Sequence, residues 1–264
     1  MPEETINHAS ENDESWEGQS RKGIKIVWIS IFLAAIISIL DLIGWITGNT
    51  LLKSWDPYWT PMKIITALCF IFTSLALIVI FTKKPKAINK IFPFIMGLFI
   101  FFIGLLTAFG WLFEGATGHE TSIATFPVFR LFLSLENRMA LLSGFIFSMT
   151  GIIVILLIPD RQVYSNIAHI LCFPVAISGY MVPVSYILGV YSIHQFLGTP
   201  VALNSGIAFC AICTAIYFIR PKTWLMRVLT SRNSGGIMAR KLLPWLLLLP
   251  VVIGWLRING ERTE

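Results

Sequence analysis

Apolar residues fill this chain in long blocks, and the charged ones gather in the gaps between them. The blocks cover 26–48, 61–81, 91–113, 139–158, 167–191, 201–219 and 242–256. A run of about 20 apolar residues can cross a bilayer as a helix. Helices and closed barrels are the only ways to do so with the backbone hydrogen-bonded. The pattern therefore predicts an all-α fold, a polytopic membrane bundle of about seven transmembrane helices. The last block is the weakest. Its helix would be about 22 Å long against a core of roughly 30 Å, and Pro244 and Pro250 interrupt it. The first block is too long for a cleavable signal peptide, and no small-residue cleavage site follows it.

Three blocks open alike: "TPMKIITALCF" from Thr60, "NRMALLSGFIF" from Asn137 and "TPVALNSGIAF" from Thr199. Each has a capping residue, then Pro or Arg, then Met or Val. Thr or Ser and then Ala or Gly come four residues on (Ala67, Gly144, Gly206), and a Phe three further along (Phe70, Phe147, Phe209). Thr60, Asn137 and Thr199 suit a helix N-cap, and Pro61 and Pro200 suit the first turn, where a missing N–H costs nothing. Ala67, Gly144 and Gly206 each precede another small residue (Ser74, Gly151, Cys213) by seven positions, which places two small side chains on one face for close helix approach. The preceding blocks carry Trp45, Trp111 and Tyr186 near their ends, the expected aromatic belt at the interface. The first six blocks thus form three repeated hairpins, with the seventh left over.

Composition agrees: 56% of the 264 residues are hydrophobic and 13% charged, against roughly 25% charged in soluble domains. The net charge of +6 would suit a polyanion, but its placement argues against nucleic acid. With the N-terminus inside, fourteen Lys and Arg fall on inner segments and six on outer ones, the bias that orients proteins in a cell membrane. Residues 1–23 open with six acids and predict a disordered cytoplasmic tail, ahead of a transmembrane domain over 24–264. The segment after Arg220 reads as a basic helix on the inner surface, ended by Gly235 and Gly236. The middle outer loop contains "FPVFRLFLSL", which suits a short interfacial helix. Cys69, Cys172, Cys210 and Cys213 all lie within blocks and are expected as free thiols.

Chemistry is sparse. No phosphate-binding loop, zinc-protease or nucleophile-elbow motif is present, so no catalysis is expected. Asp41 is the one carboxylate well inside a block. Such an acid marks an ion or proton site, or else bonds a neighbouring hydroxyl. His119 and His194 sit in or beside outer loops. Together they could ligate a metal or haem, while ordinary loop histidines account for them as simply. No metal or cofactor is required, though a haem or quinone stays open. Glu114 and Glu120 could face the same outer mouth and take a small ligand.

"SGGIMARKLLP" from Ser234 and "GWLRINGER" over Gly254–Arg262, with the TPM and TPV hairpins, resemble the N-terminal multi-helix membrane region of prokaryotic sensor histidine kinases with PAS domains. The resemblance spans roughly residues 24–262. It implies a non-catalytic sensory input domain in the cell membrane of a prokaryote, followed in that family by a further helix and by PAS, dimerisation and ATP-binding domains. This chain lacks them and is expected to be the sensory half, its C-terminus outside. Its partners would be the bilayer and either a second copy or a signalling kinase chain. No binding residue is carried over by the resemblance. The competing expectation is a small transporter or ion-binding protein using Asp41 and a helix broken around Pro174, Gly179 and Pro183.

Overall fold

A computed structural model describes residues 3–56, 58–82, 88–117, 138–189, 200–221, 223, 226–228 and 234–263. Among these there are helices and no strands: α1 Glu3–Thr47, α2 Thr50–Ser54, α3 Ile64–Thr82, α4 Ile88–Thr117, α5 Leu141–Leu157, α6 Gln162–Ile187, α7 Leu203–Ile219 and α8 Ser234–Thr263. Five helices are long and apolar enough to cross a membrane, at Gly23–Thr47, Ile64–Thr82, Lys90–Phe113, Gln162–Ile187 and Ser234–Leu256. Two apolar helices are shorter, Leu141–Leu157 and Leu203–Ile219.

Six helices close a ring. In chain order α1, α3, α4, α5, α6 and α7 each pack on the next, and α7 returns to α1. Helix α3 also touches α5 and α7 across the middle. At the centre Phe70, Phe147 and Phe209 meet as a triangle, with ring centroids 4.9, 4.6 and 4.8 Å apart. All three are fully buried, and each tilted or edge-on pair adds about 0.5–1.5 kcal/mol beyond its burial. Outward-facing positions such as Phe32, Ile36, Phe102, Ile170 and Phe173 are exposed, which is the arrangement lipid requires.

Small residues and hydroxyls share the inner surfaces with large apolar side chains such as Ile31, Leu77, Ile153 and Ile216. Gly97 and Gly104 of α4 lie against Gly151 and Gly144 of α5, so closely that a Cβ on Gly104 would sit 2.5 Å from the Ser148 nitrogen. Buried hydroxyls turn back onto their own helices: Ser38 donates to the Ala34 carbonyl at 2.8 Å, Thr73 to Cys69 at 2.7 Å and Thr150 to Ile146 at 2.8 Å. That geometry lets a polar side chain enter a lipid-surrounded core with its proton donated. The four cysteines are free thiols, three of them buried.

Several sequence expectations change. Residues 3–22, expected as a disordered tail, continue α1 as helix; once the span itself is helical, each added residue gains a bond without a new nucleation cost. Gly235 and Gly236 do not end a helix but stand in the first turn of α8. That helix has 30 residues, about 45 Å, so length does not limit it. Pro244 and Pro250 lie inside it without breaking it. Tyr180 on α6 donates to the Leu247 carbonyl, next to the Leu246 carbonyl that Pro250 leaves without its N–H. A neighbouring side chain thus supplies backbone hydrogen bonding near a proline. Helix α6 is likewise continuous through Pro174 and Pro183, with Gly179 pressed on Phe209, where a Cβ would meet the Phe209 Cβ at 2.8 Å.

Candidate functional site

The three signature stretches do not begin their helices where capping rules place them. Thr60 and Pro61 precede α3, which starts at Ile64, and Pro200 precedes α7, which starts at Leu203. The caps of α5 and α7 are Ala140 and Ala202, whose side chains make no capping bond. The preceding residues, 60–63, 138–140 and 200–202, are non-helical.

Non-helical backbone inside a membrane protein needs partners for its carbonyls, and here the preceding helix of each hairpin supplies one. Trp45 Nε1 donates to the Met62 carbonyl at 2.8 Å, and Trp111 Nε1 to Met139 at 3.0 Å. In the third hairpin Tyr186 donates through its hydroxyl to Val201 at 3.1 Å. These aromatics, expected in an interfacial belt, therefore turn inward and hold the start of the next helix. A cation lies over each tryptophan: Lys53 Nζ is 4.2 Å from the Trp45 ring centre and the Arg138 guanidinium 4.3 Å from that of Trp111. The α2 turn joins hairpin one to hairpin three, because the Lys53 carbonyl accepts from Met62 N–H and from Asn204 Nδ2, both at 3.1 Å. The Trp59 ring meets Tyr186 edge-on at 5.2 Å.

Between the three held segments lies a cavity of about 210 Å³. The first hairpin lines it with Thr60, Met62, Lys63 and Thr66, the second with Arg138, Ala140 and Ser143. The third contributes Val201, Ala202 and Ser205. Thr66, Ser143 and Ser205 occupy the same place in the three signature stretches and are 3%, 2% and 2% exposed. Arg138 is 3% exposed. The arginine was visible in the sequence only as the second residue of its stretch; nothing local showed that it would be enclosed.

Asp41 is fully buried in α1, and neither carboxylate oxygen has a hydrogen-bond partner. The charged group acting on it is Lys53. Corresponding places in the other hairpins hold Thr107, which bonds back to Ile103 at 2.9 Å, and Val182. Glu114 lies on the backbone of α4 near its end. His119, His194, Glu120, Asn137, Thr199 and the "FPVFRLFLSL" stretch lie outside the described residues, as does most of the expected surface helix. Among the described residues no three of His, Cys, Asp and Glu gather in metal-binding geometry. His169 is buried, with its Nδ1 2.8 Å from the Thr223 hydroxyl and its ring edge-on to Tyr217 at 5.0 Å.

Comparison with family models, with characterised proteins and with solved structures finds no match.

Proposed function

We infer that this chain is a non-catalytic sensory input domain of the cell membrane, built of three repeated hairpins and α8 in seven crossings with the N-terminus inside. The 17-residue helices α5 and α7 reach only about 25 Å. Their extended entries, at about 3.3 Å per residue, would add the rest of the roughly 30 Å core. The observation that carries the reading is the cavity, lined by like positions of all three hairpins. Anything bound there touches three elements at once, and such a ligand shifts a conformational equilibrium by its differential contacts with them. The bilayer and a kinase chain or second copy are the partners this reading implies.

The test is a chimera in which a cytoplasmic kinase output follows α8 through one added crossing helix. Ser143→Phe fills the cavity and is expected to move basal kinase activity away from wild type at equal membrane level. Unchanged activity with the cavity filled rejects the reading.

A second reading, an ion-binding or transport protein, draws on the unpartnered carboxylate of Asp41, since intramembrane acids mark ion paths. The unbroken α6 removes the discontinuous helix that transporters of this kind use. Ion flux into proteoliposomes separates the two.

A further inference from the structure

Where α4 and α6 begin, a groove of about 420 Å³ opens at the surface of the bundle. Ile91 and Phe94 line it from α4, Ile155, Leu156 and Ile158 from the end of α5, and Tyr164 from α6. Lys90 is its one charged lining residue, and Arg161, the exposed cap of α6, stands three residues before Tyr164. Lys90 and Gln162 open the apolar spans of α4 and α6, so both cations mark the polar boundary of the membrane. Phe94 lies one turn, about 6 Å, further in. The neighbouring carboxylate, Asp160, is bonded to Arg220, which also donates to the Leu157 carbonyl at 3.3 Å; Lys90 and Arg161 are outside that pair. An open groove in hydrocarbon forfeits dispersion contacts along its lining until something fills it. An acyl chain suits the apolar lining, and two cations at headgroup depth suit a phosphate, Arg161 as a planar donor and Lys90 as a point charge.

We propose that this groove holds an anionic phospholipid, with the upper part of one acyl chain against Phe94 and Ile155 and the phosphate on Lys90 and Arg161. Basic pockets between spans take such headgroups, whereas a zwitterionic headgroup brings a cation of its own against Lys90 and Arg161. The lipid would join hairpin two, through α4 and α5, to hairpin three, through α6, and stabilise the fold by mass action. The proposal needs only the fold. That the leaflet is the inner one rests on the orientation inferred above, and a nanodisc, open on both faces, tests the binding whichever way the chain points.

The full chain is placed in phosphatidylcholine nanodiscs containing increasing phosphatidylglycerol. Native mass spectrometry counts the retained lipid, and the melting temperature is followed alongside. One phosphatidylglycerol kept in preference to phosphatidylcholine is expected, with a melting temperature that rises with its fraction. Lys90→Gln and Arg161→Gln should each weaken the preference about fivefold. Ile91→Trp, which fills the groove and keeps both charges, should abolish it. All three positions are exposed, so the variants are expected to fold, as circular dichroism checks. Lys25 is exposed too, near the end of α1 where Trp28 meets Phe81 of α3, and Lys25→Gln should change nothing. The proposal is overturned if phosphatidylcholine is retained equally, or if Ile91→Trp leaves retention intact. It is also overturned if Lys25→Gln weakens retention as much as Lys90→Gln, since general surface charge would then account for it. Glycerol phosphate stabilising the chain as well as whole lipid does would remove the role of the groove and sink the idea. So would a dimer that Ile91→Trp splits, because a second copy would then fill the groove.

Discussion

Adding one methyl group to Gly104 tests whether the α4–α5 contact is backbone on backbone. The new Cβ would lie 2.5 Å from the Ser148 nitrogen, 2.6 Å from the Gly144 carbonyl oxygen and 2.7 Å from the Ser148 hydroxyl, where ordinary contact begins at 3.4 Å. Two of those atoms are main chain and cannot rotate away, so the helices must part by about 0.9 Å near the methyl. A gap of 0.5–1 Å forfeits roughly a quarter to a half of each dispersion contact along the seam, and overpacking of this kind costs about 1–3 kcal/mol. Alanine returns up to about 1 kcal/mol through its better helix propensity. With backbone atoms opposing it, Gly104→Ala should sit near the upper bound, a net loss of about 2 kcal/mol. Gly235 in α8 is the control, because a Cβ there meets nothing within 4 Å. Gly235→Ala should therefore be neutral or stabilising by up to about 1 kcal/mol. Equilibrium unfolding in mixed micelles, followed by tryptophan fluorescence, measures both. Gly144→Ala should fall between them, since its nearest atom is the Gly104 carbonyl oxygen at 3.0 Å. Equal stability of the Gly104 and Gly235 variants would refute the close approach of α4 and α5.

Two further outcomes can be checked the same way. Trp111→Phe keeps a ring beneath Arg138 but removes the N–H that the Met139 carbonyl accepts; a loss of about 0.6–1.7 kcal/mol is expected, and no loss would mean that lipid or water replaces the bond. Asp41→Thr installs the residue that hairpin two carries at this place, able to bond back to its own helix as Thr107 does. It should raise the unfolding midpoint by removing a buried acid without hydrogen-bond partners; a fall would mean that the attraction of Lys53 outweighs the cost of burying the carboxylate.

The sequence by itself determined that the chain is helical and lives in lipid, because apolar blocks of this length allow little else. It also singled out Phe70, Phe147 and Phe209, which the fold brings into mutual contact, and Gly144 and Gly206, which pack against neighbouring helices. The seven-residue spacing of Gly97 and Gly104 was there to be read and has the same meaning. Tertiary structure decided where the central helices start. Capping rules see only a few residues of chain, and by them Thr60–Pro61 opens a helix. The non-helical entry instead persists because a carbonyl at Met62, Met139 or Val201 finds a donor 17, 28 or 15 residues earlier in the chain. Burial of Arg138 and the formation of the cavity follow from the same circumstance. Three entries, each held by its own hairpin, meet only when the ring closes, and no local pattern along one chain specifies that closure.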